Sequence, residues 1–327
     1  MQTILVTGAT GAIGPSVVGA LHREKYGIRV FANETPAAGL FPESVEVMLG
    51  DIADTGAVES AMVGVDAVIH MAALLHASRL TVDMYERYKL VNIEGTERVV
   101  RAAVQAAVKR IVLFSTIAVY GPTGGSVFNE QSPTQPETFY AQTKLEAERI
   151  VLNARSSEGQ PLGTVLRLGA VYGARVKGNY RRLVHDLAHN RFVRIGNGLN
   201  QRTLVYDKDV GRAVILAISH PAAAGKVFNV TDGDFHTVNE IVDSICSALG
   251  RKPPRLLLPV EPMRALAGLI EKGSFVFGVE PSITPEMISK YTEDVRVDGS
   301  LIQRELGFMP QYGLRAGWAE TVRLMQP

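Results

Sequence analysis

The chain has 327 residues, 46% of them hydrophobic and 20% charged, enough to bury a substantial core in one large domain or two smaller ones. A formal net charge of +1 leaves no basic excess to neutralise a phosphate lattice, which argues against nucleic acid as a partner. No apolar run approaches the ~18 residues that span a bilayer, and the single Cys246 allows no internal disulfide, so a cytoplasmic protein with no membrane partner is expected.

Met1 leads almost directly into a β-branched run at residues 4–7, with no charged leader before it. That run and those at 29–32, 45–49, 67–70 and 110–115 read as buried parallel strands. Helical patterns stand between them at about 15–25, at 55–62 and in a long stretch over 83–107. Pro15 suits a first helical turn, where its missing N–H costs nothing. Repeated strand–helix units imply an α/β fold, a doubly wound parallel sheet of the Rossmann type. A loop rich in Gly, Pro and Ser over 121–138 interrupts the rhythm, which a helix at 139–155 and a strand at 164–168 resume. Beyond Gly173 the elements are shorter and mixed, punctuated by Pro221, Pro253, Pro254, Pro259 and Pro281. This part reads as a smaller C-terminal substrate-binding lobe. The division falls at residues 1–173 and 174–327, a soft boundary across which elements can interleave.

The segment Thr7-Gly8-Ala9-Thr10-Gly11-Ala12-Ile13-Gly14 follows the first strand and opens the first helix. Gly8 allows a tight turn, Gly11 lets backbone approach a diphosphate, and Gly14 lets the helix pack on the strand, with Ala12 and Ile13 in the same turn. A helix N-terminus then offers free N–H groups and a positive dipole end to the anion. The spacing of three and three between glycines differs from the two and three of the better-known dehydrogenase fingerprint. Glu34 lies 20 residues after Gly14, at the end of the second strand, where a carboxylate binds ribose hydroxyls and repels a 2′-phosphate. NAD is therefore expected over NADP, with Asn33 as the alternative ribose ligand. Asp51 and Ile52, after the third strand, suit the adenine, though in isolation the pair also reads as a helix-entry cap.

The fifth strand ends in Ser115-Thr116-Ile117-Ala118, and Tyr140-Ala141-Gln142-Thr143-Lys144 follows 24 residues after Thr116. Four residues along a helix put Tyr140 and Lys144 on one face. A free tyrosine titrates near ~10, and lowering it by about three units means stabilising the phenolate by roughly 4 kcal/mol. A lysine ammonium and a positively charged nicotinamide ring would supply that, so the phenol is expected to be lowered. Thr116, with Ser115, would hydrogen-bond the substrate oxygen. Tyr85 and Lys89 repeat the spacing, but no strand ending in Ser or Thr precedes them, and they read as a solvated helix face. No metal site is expected.

These motifs, with Asp51-Ile52, His70-Met71-Ala72-Ala73 and Val91-Asn92-Ile93-Glu94-Gly95-Thr96, resemble the NAD-dependent epimerase/dehydratase family, the extended short-chain dehydrogenases. The resemblance is strong to about Gly173 and looser to Trp318. It implies NAD as cofactor, Ala72 and Ala73 beside it, Asn92 steadying the active site from the long helix, and Tyr140 with Lys144 as catalytic pair. His70 reads better as a core or strand-end histidine than as a catalyst. Members that dehydrate or decarboxylate sugars carry acids after the catalytic Ser or Thr; here those positions are Ile117 and Ala118. Hydride transfer with one proton remains, by a 4-epimerase, a 4-keto reductase or a dehydrogenase.

The stretch from Val171-Tyr172-Gly173 through Val176-Lys177-Gly178-Asn179-Tyr180, followed by Gln201-Arg202-Thr203-Leu204-Val205, looks like that of bacterial nucleotide-sugar epimerases and 4-keto reductases. There Asn179 and Arg202 match positions that hold the substrate diphosphate, so a nucleotide sugar is the expected substrate. Leu168 and Ala170 depart from the family pattern, replacing a proline and a polar sugar contact. A hydroxysteroid or other apolar-alcohol dehydrogenase is the alternative, drawn from Leu256, Leu257, Leu258, Met263, Leu266, Leu269, Phe275 and Phe277. Helical spacing gives those side chains a packed-core role instead. A non-catalytic cofactor-binding regulator is the third reading, disfavoured by the complete catalytic set. The resemblance also implies a homodimer, paired through the helices near 83–107 and 139–155.

Overall fold

The computed structural model describes residues 2–75, 82–175, 177–276 and 283–325. Val176, Phe277, Pro281 and the side chain of Phe275 lie outside the described residues. In chain order the first half runs β1 (Thr3–Thr7), α1 (Gly14–Arg23), β2 (Gly27–Ala32), β3 (Glu46–Leu49), α2 (Thr55–Met62), β4 (Ala67–His70), α3 (Val82–Tyr88), α4 (Gly95–Gln105), β5 (Arg110–Thr116), β6 (Val127–Phe128), α5 (Phe139–Asn153) and β7 (Gly163–Leu168). The second half adds β8 (Ala170–Tyr172), α6 (Gly178–Ala188), β9 (Arg194–Ile195), β10 (Gln201–Tyr206), α7 (Asp207–Ser219), β11 (Val227–Val230), β12 (Phe235–Thr237) and α8 (Val238–Ala248). It closes with β13 (Leu257–Leu258), α9 (Val260–Val276), α10 (Pro285–Thr292), β14 (Arg296–Val297), α11 (Ser300–Leu306) and α12 (Leu314–Met325).

Seven strands form one parallel sheet in the order β11-β7-β5-β4-β1-β2-β3. Its β-branched strands are apolar on both sides because helices cover both faces. One face buries Val17, Val18 and Leu21 of α1 with Val210, Ala213 and Val214 of α7. The other buries Val58 and Met62 of α2, Val99 and Ala102 of α4, and Ala147 and Val151 of α5. Sheet strand β11 and covering helix α7 come from beyond Gly173, so the later half of the chain helps build the sheet layer.

Three expectations change. The strand near 45–49 is not buried: β3 is the sheet edge, with β2 as its single neighbour, and Val47 and Leu49 are exposed. The long helix over 83–107 is interrupted, because Lys89–Glu94 forms a wider π-type turn between α3 and α4. Leu256, Leu257, Leu266 and Leu269 are exposed rather than packed in a core: the first two stand at short β13, which has β9 as its neighbour, and the last two on α9.

The smaller lobe packs β8, β10 and β12 with α6, α8 and α12 around Tyr172, Tyr206 and Trp318, the Tyr172 and Trp318 rings stacking at 4.6 Å. It is fastened to the loop before α5. Short β14 pairs in parallel with β6, Thr123 Oγ1 donates to the Asp294 carbonyl at 2.8 Å, and buried Thr203 of β10 donates to the Val295 carbonyl at 2.9 Å while accepting from Val297 N at 2.9 Å. Among the described residues no helix is long and apolar enough to cross a membrane.

Candidate active site

Gly8 turns the chain at the end of β1 with a φ of 72°, a conformation that favours glycine. A Cβ there would strike the backbone of Met71 and Ala72, and one on Gly14 would strike Ala9, so close chain approach dictates both. Gly11 differs. A Cβ on it would meet only the Gly8 carbonyl, at 3.2 Å, with open space beyond. Ala12 and Ile13 lead from it into α1, whose N-terminus has no side-chain cap. Open space beside a glycine and unclaimed N–H donors fit the diphosphate of a dinucleotide.

Because β1, β2 and β3 are adjacent and parallel, the glycine turn, Asn33 with Glu34, and Asp51 lie side by side along one sheet edge. Asn33, Glu34 and Asp51 are exposed there. Asp51 does not cap the next helix. Its Oδ1 accepts from Ala53 N at 2.9 Å, whereas Asp54 accepts from Gly56 and Ala57 and caps α2. Ile52 is buried, and a Cβ on Gly95 would crowd it.

Thr7 and His70 close neighbouring strands and sit directly opposite each other in the parallel register. The His70 ring is buried, with Nδ1 2.7 Å from Thr7 Oγ1 and Nε2 3.0 Å from Thr96 Oγ1. Thr96 donates its own hydroxyl to the Asn92 carbonyl at 2.6 Å, so it accepts from His70 Nε2–H, and Nδ1 accepts from Thr7. Thr7 Oγ1 in turn accepts from Ala72 N at 3.2 Å. Burial, with the Lys144 charge adding, pushes His70 down to about 3, so it is a neutral relay and not an acid or base at neutral pH.

The chain ends at Asn92, buried in the π-type turn. Its Oδ1 accepts from Leu74 N at 2.7 Å, and its Nδ2 donates to the Leu74 carbonyl at 3.2 Å and to Thr143 Oγ1 at 3.0 Å. Thr143 donates to the Tyr140 carbonyl at 3.0 Å. One amide thereby staples the segment after β4, which carries half-buried Ala72 and Ala73, to the first turn of α5.

Thr138 caps α5 by accepting from Ala141 N at 3.2 Å. Tyr140 is half-buried in its first turn, and Lys144, one turn on, is 2% exposed. Burial pushes the Tyr140 phenol up to about 12, with neighbouring Tyr88 adding to the rise. Burial also pushes Lys144 down to about 8, against the pull of the Glu148 carboxylate. The expected lowering of the phenol is therefore not supplied within the protein alone: desolvation acts on both groups and opposes either charge.

Thr116, half-buried at the end of β5, accepts from Ala118 N at 3.1 Å beside α5. Ser115 points elsewhere. It is buried, and its hydroxyl makes a short donated bond to Glu148 Oε1, which commits it to a protein partner rather than to a substrate oxygen. Asn179 is exposed in the first turn of α6. Arg202 of β10 donates through Nη2 to the carbonyls of Lys290 and Tyr291, the latter at 3.0 Å, at the last turn of α10. The edge of the large sheet thus gathers the glycine turn, Asn92, Thr116, Tyr140 and Lys144, while Asn179 and Arg202 belong to the smaller lobe. Tyr85 and Lys89 are exposed, Tyr85 with its ring edge on Phe139 at 5.0 Å.

Sequence reasoning missed Thr7, Tyr88, Thr96, Thr143 and the Glu148–Arg167 pair. Thr7 and His70 carried a usable signal, two polar residues closing two adjacent apolar strands. Tyr88, whose hydroxyl donates to the Leu75 carbonyl at 2.6 Å, had none beyond lying in a helix.

A model of the NAD dependent epimerase/dehydratase family matches residues 4–231. A UDP-glucose 4-epimerase of Vibrio cholerae is 28% identical over 337 residues, covering 98% of this chain and 95% of that protein. Sterol demethylase protein B of Methylococcus capsulatus (strain ATCC 33009 / NCIMB 11132 / Bath) is 30% identical over 337 residues, covering 98% and 97%. Among solved structures, MoeE5 in complex with UDP-glucose and NAD superposes with a TM-score of 0.77 at 26% identity, covering 98% of each chain.

Proposed function

This chain belongs to the NAD-dependent epimerase/dehydratase family, with NAD as its cofactor, and from that premise we propose that it moves hydride at carbon 4 of a nucleotide-linked sugar, as a 4-epimerase or a 4-keto reductase. The observation that carries the reading is the Tyr140–Lys144 face of α5, which the Asn92 staple sets at the sheet edge bearing the glycine turn.

NAD, when bound, takes up and returns a hydride. Oxidising a secondary alcohol to a ketone releases that hydride and one proton, and the Tyr140 phenolate takes the proton. Thr116 hydrogen-bonds the same oxygen and fixes its distance from the phenol. The Lys144 ammonium favours the phenolate electrostatically. In the return direction the phenol gives its proton back to the developing alkoxide. Ile117 and Ala118 cannot carry a second proton, so the residues serve hydride exchange and not elimination. Asn179 and Arg202 are the groups assigned to the substrate diphosphate.

A second reading has its own observation. Leu256, Leu257, Leu266 and Leu269 of the C-terminal half are exposed apolar side chains, and an apolar alcohol such as a sterol is the substrate class they would suit. Thermal unfolding of the NAD-loaded protein against a panel of nucleotide sugars and a panel of sterols separates the two. A raised midpoint with a nucleotide sugar is expected; a response to sterols alone transfers the assignment to the apolar alcohol. In the same series, calorimetry should give tighter binding of NAD(H) than of NADP(H). Equal or tighter NADP(H) binding removes Glu34 from its ribose role.

A further inference from the structure

Below Tyr140 and Lys144, the same face of α5 continues into an ion pair that the reaction derived above does not use. Glu148 follows Lys144 by one turn and is 1% exposed. Arg167 of β7 grips both of its oxygens, with Nε at 3.0 Å from Oε1 and 3.1 Å from Oε2, and Nη2 at 2.6 Å from Oε2. Ser115 of β5 donates to Oε1 as well. The guanidinium lies 4.8 Å over the Tyr120 ring, and the Tyr120 hydroxyl donates to Asn229 Oδ1 of β11 at 2.8 Å. A single carboxylate is thus held from two strands, and a cation on one of them is braced through a ring to a third.

A buried pair of this kind is a weak source of net stability, because removing both charges from water offsets their attraction. Its position suggests a use. The titratable groups around this face of α5 are Tyr140, Lys144 and Glu148 on the helix, His70 on β4, Tyr88 on α3, Tyr120 after β5 and Arg167 on β7. His70 is neutral, and burial holds the Tyr120 and Tyr140 phenols up. Glu148 is the anion that acts on Lys144, while Glu130, in the loop before α5, acts on Tyr120 and Arg167. Without Glu148, Lys144 and Arg167 would be two buried cations with no carboxylate between them.

We propose that Glu148, clamped by Arg167 and Ser115, is a positioning residue for Lys144: its fixed negative charge, one helical turn away, keeps the lysine ammonium charged and aligned along α5 toward Tyr140. Ser115 then serves the site through Glu148 and not by touching substrate. The inference rests on the reading that Lys144 supports Tyr140.

The test follows the Lys144 titration directly in the NAD-loaded protein, by heteronuclear NMR of labelled lysine, with the signal assigned by its loss in Lys144→Ala. Glu148→Gln keeps the shape and removes the charge, so Lys144 should release its proton at a pH lower by about one unit or more. That variant strands Arg167, so Glu148→Gln with Arg167→Met is run as well, a replacement that removes both charges and keeps the packing volume. A purely structural pair predicts that the double variant restores the wild-type titration; a positioning role predicts that the shift persists. A Lys144 titration unmoved in the double variant overturns the proposal. Turnover of Tyr140→Phe is measured alongside. Full activity there removes the catalytic reading and this inference with it, whereas an inactive Tyr140→Phe beside an unmoved lysine removes the Glu148 role alone.

Discussion

A phenol held near 12 is a proton donor at neutral pH, and it becomes an acceptor only when positive charge is brought to it. Lys144, brought to about 8, is charged over most of the neutral range and loses that charge within reach of mild alkali. Tyr140→Phe removes one hydroxyl and leaves the ring, so fold and NAD binding should survive while turnover falls about a hundredfold to ten-thousandfold, the usual worth of a positioned acid/base. Lys144→Ala should also cut turnover, with the residue of activity rising toward higher pH. Tyr85→Phe and Lys89→Ala serve as controls on the exposed repeat of the motif and should stay close to wild type. A fully active Tyr140→Phe, or an inactive Tyr85→Phe, overturns the assignment. The pair itself was legible in the sequence because its four-residue spacing is local. The full Thr7–His70–Thr96 relay and the Glu148–Arg167 clamp were not, since their partners are 63, 26 and 19 residues apart and meet through sheet register at Thr7 and His70 and through helix packing at Thr96 and Glu148.

Among the elements, α10 and the turn between α3 and α4 carry the most consequence. The Arg202 guanidinium completes the last carbonyls of α10, the kind of contact a cation makes at a helix C-terminus. It therefore has a packing role beside the diphosphate role assigned to it. Arg202→Ala should weaken nucleotide-sugar binding by about 1.5–3 kcal/mol and leave NAD affinity nearly unchanged. It should also speed amide exchange in α10. Faster exchange with undiminished sugar binding would confine Arg202 to packing. The wider turn at Lys89–Glu94 places Asn92 inward, and no periodicity rule announces such a turn, which is why the helix over 83–107 reads as continuous. Six of the seven strands of the large sheet were legible from their apolar runs; β11 was not, lying beyond Gly173 among short mixed elements. The smaller lobe was far less so: β9, β13 and β14 have two residues each and exist only through partners distant in sequence.

At the scale of the whole molecule, α3, α4 and α5 lie together on one side of the sheet and expose Tyr85, Leu90 and Val104 on their outer surface. Such a face suits pairing with a second copy of the chain through a four-helix contact. Light scattering at micromolar concentration should give a homodimer, and Leu90→Asp should shift it toward monomer. A wild-type monomer would count against the pairing.

The strap from Asp294 to Val297 also sets an order of events during synthesis. The glycine turn and its strands are complete within the first half of the chain, but the loop leading into α5 takes its Thr123 bond from a residue 171 positions later. A nascent chain on the ribosome can pair β1 to β5 early, though α1 waits for α7 to bury its inner face, since domains fold as their own contacts become available. It cannot fix the approach to Tyr140 until β14 has emerged and paired with β6. The approach to Tyr140 is therefore fixed late, with only α11 and α12 still to add their buried side chains.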